Sequence, residues 1–187
     1  MEAAIFVATI FFMFSGKAQI GSNTTLEIKP LVQDHWKRVK EIYENGIATG
    51  HATFQLEAPA NWEQWDGGHL AHSRFVAVIG EEVVGWVALS PTSARACYKG
   101  VCELSIYVDG DNRGKGVGNL LMASVIESSE LNGVWSLCSS TFPENQASIF
   151  LQKKFGFREI GYKEKVAQLN GVWRNTVLLE RRSEIVG

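Results

Sequence analysis

ELSIYVDGDNRGKGVGN, residues 103–119, is the stretch on which the reading of this chain turns. Residues 103–108 alternate and are rich in branched and aromatic side chains, the pattern of a strand. Asp109-Gly110-Asp111-Asn112 is a turn cluster. Gly114, Gly116 and Gly118 follow, with Arg113 and Lys115 set between and before them. Apolar residues at Val117, Leu120, Leu121 and Val125 then take up helical spacing. A strand, a basic glycine-rich loop and a helix in that order make an anion site. Glycine lets the main chain approach closely, and the free N–H groups of the first helical turn point outward with the macrodipole behind them.

Three ligands compete for such a loop. A nucleoside triphosphate loop needs G-x-x-x-x-G-K-[ST]. Here Gly110 stands one residue too close to Gly114, and Gly116 replaces the hydroxyl residue that would hold magnesium. A dinucleotide loop needs G-x-G-x-x-G. The spacing here is Gly114-x-Gly116-x-Gly118, and the strand comes mid-chain with no repeated βαβ half. The third pattern is [RQ]-x-x-G-x-[GA] after a strand, filled by Arg113, Gly116 and Gly118. With it the segment resembles the pyrophosphate loop of the GNAT superfamily of acyl-CoA-dependent N-acyltransferases.

The whole chain bounds the answer. At 187 residues it is one domain with enough length for a real core, and its 45% hydrophobic and 20% charged content is that of a globular protein. A net charge of −2 gives no electrostatic case for nucleic acid or an anionic membrane. Cys97, Cys102 and Cys138 form no framework and no CxxC pair, which suits a reducing compartment. They read as small buried hydrophobes. His69-x-x-His72 reads as solvated helix surface, and no metal is expected. Residues 1–24 hold the apolar run AAIFVATIFFMF (residues 3–14), too short to span a bilayer comfortably and preceded only by Glu2, where a signal peptide carries Lys or Arg. They are expected to be an extension outside the fold, and residues 25–187 a single domain.

Within that domain TLEIKPL reads as the first strand, and Asp34 as the cap of a helix from residue 35 to about 45. Residues 46–57 read as a loop, and Asn61 cues a second helix through Trp62 and Trp65. Residues 75–79 and 83–90 flank a turn at Gly80-Glu81. After the central strand and its helix come a strand at 134–139, a helix opened by Pro143-Glu144-Asn145, and two strands joined by Asn170-Gly171. The order is βααβββαβαββ, an α+β or α/β mixed sheet flanked by helices.

That order resembles the GNAT fold from residue 25 to the end. Several segments further resemble the branch of phosphinothricin acetyltransferase-like L-amino-acid N-acyltransferases. These are the loop Ala94-Arg95-Ala96-Cys97-Tyr98, the acidic residue Glu103 opening a strand that ends Ile106-Tyr107-Val108, and the segment Phe54-Gln55-Leu56-Glu57-Ala58-Pro59. Asn145-Gln146-Ala147-Ser148, Phe155-Gly156-Phe157 and Gly171-Val172-Trp173 complete the set. Two positions depart from that branch. Gln152 stands where a His or Tyr proton donor is common, and Asn175 where Asp is usual.

The resemblance implies acetyl-CoA as co-substrate and a small-molecule amine as acceptor. It implies that Ile106, Tyr107 and Val108 pair with the pantetheine arm through the main chain and that Arg113, Gly114, Lys115, Gly116, Val117, Gly118 and Asn119 hold the pyrophosphate. Asn145, by default a helix N-cap, gains a hydrogen bond to pantetheine. An amine is mostly protonated at pH 7 and needs a base, for which Glu103 is the candidate; the bland alternative is a strand-end carboxylate in a salt bridge. Arg95 and Tyr98 are candidates for the acceptor's carboxylate, since Arg binds carboxylates through two parallel hydrogen bonds. Phe54 would line the side-chain pocket. The expected activity is acetylation of the α-amine of a phosphinothricin-like or methionine-sulfone-like compound in the cytoplasm, with no nucleic-acid partner and no stable membrane association; a homodimer is left open. Two rivals stand beside it: a protein N-terminal acetyltransferase, and a non-catalytic acyl-CoA-binding module.

Overall fold

The computed structural model describes residues 16–19 and 25–187. The apolar run at residues 3–14 lies outside the described residues. Among those described, eight strands form one sheet: β1 (Lys17–Gln19), β2 (Thr25–Pro30), β3 (Phe75–Ile79), β4 (Glu82–Pro91), β5 (Val101–Val108), β6 (Ser136–Thr141), β7 (Arg158–Leu169) and β8 (Val172–Arg182). Four helices pack on it: α1 (Trp36–Ala48), α2 (Trp62–Gly67), α3 (Val117–Leu131) and α4 (Gln146–Lys154). The strand order is β1-β2-β3-β4-β5-β6-β8-β7. Every pairing is antiparallel except β5 with β6, so the sheet is mixed as the element order predicts. β1 lies within the stretch expected to stand outside the fold: Lys17 pairs with Glu27 across β2, and the Gly16 carbonyl accepts from Ile28 at 2.9 Å.

Alternation along the strands builds two cores, one on each face. Phe75, Ala77, Val87, Leu89, Cys102 and Leu104 face α3, where Leu121, Met122 and Val125 are buried. Val76, Val78, Trp86 and Ala88 face the other way, toward Val39 and Ile42 of α1 and Trp65 of α2. Because both faces are covered, FVAVI reads as an unbroken apolar run instead of an alternating one.

Several local signals act as read. Asn61 caps α2 by accepting from the Gln64 amide at 3.0 Å. Asn170 and Gly171 both take positive φ, 50° and 78°, the geometry that a two-residue hairpin demands. Others do not. Asp34 caps nothing; it sits in a 3₁₀ turn, Gln33–His35, that runs directly into α1, and the His35 ring accepts from the Val32 amide instead. His69 and His72 lie beyond α2 rather than on solvated helix surface. His69 stacks on Trp65 at 4.1 Å and bonds its carbonyl at 2.6 Å, because the apolar ring offers more contact than water does. Cys97 is exposed, in a 3₁₀ turn (Ala96–Tyr98), while Cys102 is buried and Cys138 half-buried.

Candidate active site

The sheet is interrupted at one place, and the site forms there. β5 runs beside β4 over its length, from Cys102 opposite Pro91 to Val108 opposite Gly85. Its pairing with β6 covers only Val101, Cys102 and Glu103, opposite Ser136, Leu137 and Cys138. Beyond Glu103 the two strands diverge, each held by its outer neighbour, with Thr141 of β6 still opposite Val177 of β8. Among the described residues, the inner edge of β5 over residues 104–108 is therefore left without a strand partner. A row of main-chain groups in that state pairs with an extended ligand as an added strand would.

Two cavities occupy the divergence. The smaller, about 280 Å³, lies between Glu103 to Tyr107 on one wall and Ser139 to Phe142 on the other, with Phe54 over it and Gln152 at its back. The larger, about 890 Å³, follows the end of β5 into the glycine loop and along α4. Ala52, Ile106, Tyr107, Asn145 and Ser148 line both, so the two meet in one channel.

The glycine loop behaves as its spacing predicts. Gly114 and Gly116 take φ of 74° and 86°, left-handed values that other residues adopt only at a cost. Gly116 is the N-cap of α3 and has no side chain to satisfy the first turn, which opens onto the larger cavity. Gly118 serves packing as well: a Cβ there would stand 3.0 Å from Leu151 Cδ2 on α4. Arg113 lines the cavity and Lys115 does not; the Lys115 ammonium donates to Asn112 Oδ1 at 3.1 Å on the outside of the loop. Arg38 of α1 fastens the loop's start. Its guanidinium donates to the Val83 carbonyl at 3.1 Å and pairs with Asp109 at 3.3 Å.

Glu103 stands where the strands part, exposed and opposite Cys138. Among the described residues that line the smaller cavity, it is the one charged side chain. Burial, with Glu103's charge behind it, pushes the Cys138 thiol up to about 11, so this cysteine stays a thiol, donating to the Cys102 carbonyl at 3.4 Å. Tyr107 shares Glu103's face of β5. Its ring stacks on Trp86 at 4.7 Å and meets Tyr43 edge-on at 4.9 Å. Burial holds its hydroxyl far above the usual tyrosine range, so it stays neutral. The ring also accounts for a glycine inside α1, because a Cβ on Gly46 would lie 2.8 Å from Tyr107 Cδ1.

Asn145 caps α4, accepting from the Ser148 amide at 3.2 Å, and its own amide donates to the His51 carbonyl at 3.3 Å. Phe54 meets Phe142 edge-on at 4.7 Å and so closes one side of the small cavity. Arg95 and Tyr98 line neither cavity; they stack on each other at 5.6 Å in the exposed loop before β5. Sequence reasoning missed Arg174. This β8 side chain is 14% exposed, pairs with Glu144 at 3.2 Å, donates to the Gly50 carbonyl at 2.9 Å and to His51 Nδ1 at 3.2 Å, and lies over the Phe142 ring at 4.4 Å. It ties the loop after α1 to the loop before α4, across the cleft. Its position next to the hairpin Trp173 was the one available signal, and it does not reveal a partner more than a hundred residues away.

An open strand edge leading into an uncapped, glycine-lined helix start suits an extended thiol carrier ending in a pyrophosphate, and a carboxylate at the fork suits proton removal from an amine. Residues 36–157 match the acetyltransferase (GNAT) family, and the chain belongs to it. It is 26% identical to phosphinothricin N-acetyltransferase of Streptomyces coelicolor over 83% of this chain and 95% of that one. It is 27% identical to L-methionine sulfoximine/L-methionine sulfone acetyltransferase of Pseudomonas paraeruginosa over 74% of this chain and 84% of that one. The fold also matches the crystal structure of a phosphinothricin acetyltransferase from Sinorhizobium meliloti in complex with acetyl-CoA, with a TM-score of 0.76, 23% identity, and 84% and 88% of the two chains covered. The protein is an acetyl-CoA-dependent N-acetyltransferase, and among the described residues no helix is long and apolar enough to cross a membrane.

Proposed function

We propose that the acetyl acceptor is the α-amine of a small amino-acid-like compound, phosphinothricin-like or methionine-sulfone-like, and that transfer is direct with Glu103 as general base. The observation that carries this reading is the position of Glu103, among the described residues the one charged group lining a cavity of about 280 Å³ at the fork of β5 and β6. A cavity of that size suits a compact molecule, and a lone carboxylate attracts an ammonium and then takes its proton. The named activities of the relatives from Streptomyces coelicolor and Pseudomonas paraeruginosa support the acceptor class.

In this reading acetyl-CoA lays its pantetheine along residues 106–108 and its pyrophosphate against residues 113–119, with Asn145 bonded to pantetheine. Phe54 contacts the acceptor's side chain. Arg95, with Tyr98 beneath it, meets the acceptor's carboxylate outside the small cavity, on the loop that leads into the end of β5 where Glu103 stands. Residues 25–187 are the catalytic domain, the protein acts in the cytoplasm, and residues 1–24 are dispensable for turnover.

Thiol release from acetyl-CoA with a panel of free amino acids, phosphinothricin, methionine sulfone and their carboxamides tests this. Turnover with the free acids and little with the amides is the expected result. Equal rates on acid and amide would overturn the carboxylate reading and favour a peptide amine. CoA binding with no release on any amine would favour the binding module.

A further inference from the structure

Gln152 replaces the expected proton donor, and its hydrogen bonds show what stands in for it. The side chain is 2% exposed, at the back of the small cavity. Its Oε1 accepts the Ser139 hydroxyl hydrogen. Its two Nε2 hydrogens go to Thr141 Oγ1 at 3.2 Å and Ser148 Oγ at 3.1 Å. Thr141 Oγ1 lies 3.4 Å from Ser139 Oγ, whose own hydrogen is already committed, so the Thr141 hydrogen closes onto Ser139. One donor is left over. Ser148 receives from Gln152, and among the described residues nothing accepts its hydrogen. By contrast, Ser129 in α3 turns its hydroxyl back onto the Ile126 carbonyl at 2.7 Å. Ser148 lines both cavities, at the seam where the thioester must pass from the pantetheine channel to the acceptor.

We propose that Ser148 is a catalytic residue of the transfer, donating a hydrogen bond to the thioester sulfur as it becomes a thiolate, and that Gln152 is its positioning residue. This rests on the acetyl-transfer reading given under Proposed function. The amine nitrogen forms a bond to the acetyl carbon, the C–S bond breaks, and the sulfur keeps the electron pair. The Ser148 hydrogen stays on Oγ, because an aliphatic hydroxyl is a far weaker acid than a thiol. The thiolate takes its proton from the acylated nitrogen, directly or through water, giving amide and free CoA. With Gln152 Nε2 donating to its oxygen, the Ser148 hydroxyl keeps its own hydrogen free to donate into the cavity.

Two variants test the assignment. Ser148→Ala keeps the backbone amide that Asn145 caps, so α4 keeps its start. It is expected to lower kcat about ten- to a hundredfold, the scale of a lost transition-state donor, with the acetyl-CoA Kd by calorimetry within about twofold of wild type by the same reasoning. Ser148→Thr, which retains the hydroxyl, is expected to recover most of the rate. Gln152→Glu offers a carboxyl of the same size. Deprotonated, it accepts the Ser148 hydrogen and turns the donor away, so its activity relative to wild type is expected to fall as pH rises. In the Ser148→Ala, Gln152→Glu double variant that added pH dependence is expected to vanish. Unchanged kcat in Ser148→Ala beside an active wild type overturns this role alone. A raised Kd with kcat intact makes Ser148 a cofactor anchor and overturns it equally. No thiol release by wild type overturns both this role and the acetyl-transfer reading.

Discussion

β5 has β6 as a neighbour over residues 101–103 and loses it over residues 104–108, so one strand has a paired end and a free-edged end. The paired end carries the Glu103 carboxylate and presents side chains. The free end presents main-chain groups and leads into a loop whose left-handed Gly114 and Gly116 also present main chain. The difference separates the two substrates. In the proposed reading, a cofactor common to a whole family meets backbone, which any sequence of the right conformation supplies, whereas the acceptor meets side chains that each chain chooses for itself. Mutations at the two ends should therefore fail differently, in kcat or acceptor KM at one and in cofactor affinity at the other.

The sharpest break in that pattern is expected at the paired end. Glu103→Gln keeps the size and removes the base, and should lower kcat about a hundredfold or more at pH 7 with acetyl-CoA affinity almost unchanged. The deficit should shrink as pH rises, because the free amine is then already deprotonated in solution. A rate series from pH 7 to about 9.5 checks both the loss and its sign. At the free end, Gly116→Asp forces a left-handed residue and sets a negative charge against the pyrophosphate. Calorimetry should show acetyl-CoA binding weaker by tenfold or more, about 1.4 kcal/mol at the least. Circular dichroism should show the fold retained.

Smaller effects probe the acceptor side. Arg95→Ala should raise KM for the amino acid roughly ten- to a hundredfold, the equivalent of about 1.5–3 kcal/mol for a charge-assisted pair, and leave KM for acetyl-CoA alone. Arg174→Ala removes the tie between the two loops over the cleft. It should cost about 1–2 kcal/mol, lowering Tm by roughly 2–8 °C, and should raise both KM values because each loop borders both cavities. Smallest is a chain beginning at Ser22. It lacks β1, an edge strand of three residues, and should keep kcat with a stability loss within about 1 kcal/mol.

The same contrast decides what was legible. The glycine loop, the Asn170-Gly171 turn and the Asn61 and Asn145 caps are local: a few adjacent residues set backbone angles or donate one short bond, so spacing alone reveals them. The fork is not local, since it depends on where pairing between β5 and β6 stops. Arg174 reaches Gly50, Gln152 reaches Ser139, and Asn145 reaches His51, all partners brought together only by folding. The Lys115 ammonium donates to Asn112 Oδ1, a direction that its place in a basic loop does not reveal. Asp34 reads as a cap because it precedes a helical pattern, yet the chain enters α1 through the 3₁₀ turn that contains Asp34 itself. Composition within a motif marks a place; which way each side chain turns is settled by its neighbours.

Amide hydrogen exchange with and without acetyl-CoA tests the central claim, that the free edge of β5 and the glycine loop hold the cofactor through main chain. Added acetyl-CoA should slow exchange within residues 104–108 and 114–119 and leave residues 101–103, already paired to β6, as they were. Saturating acetyl-CoA with unchanged exchange along residues 104–108 would contradict it.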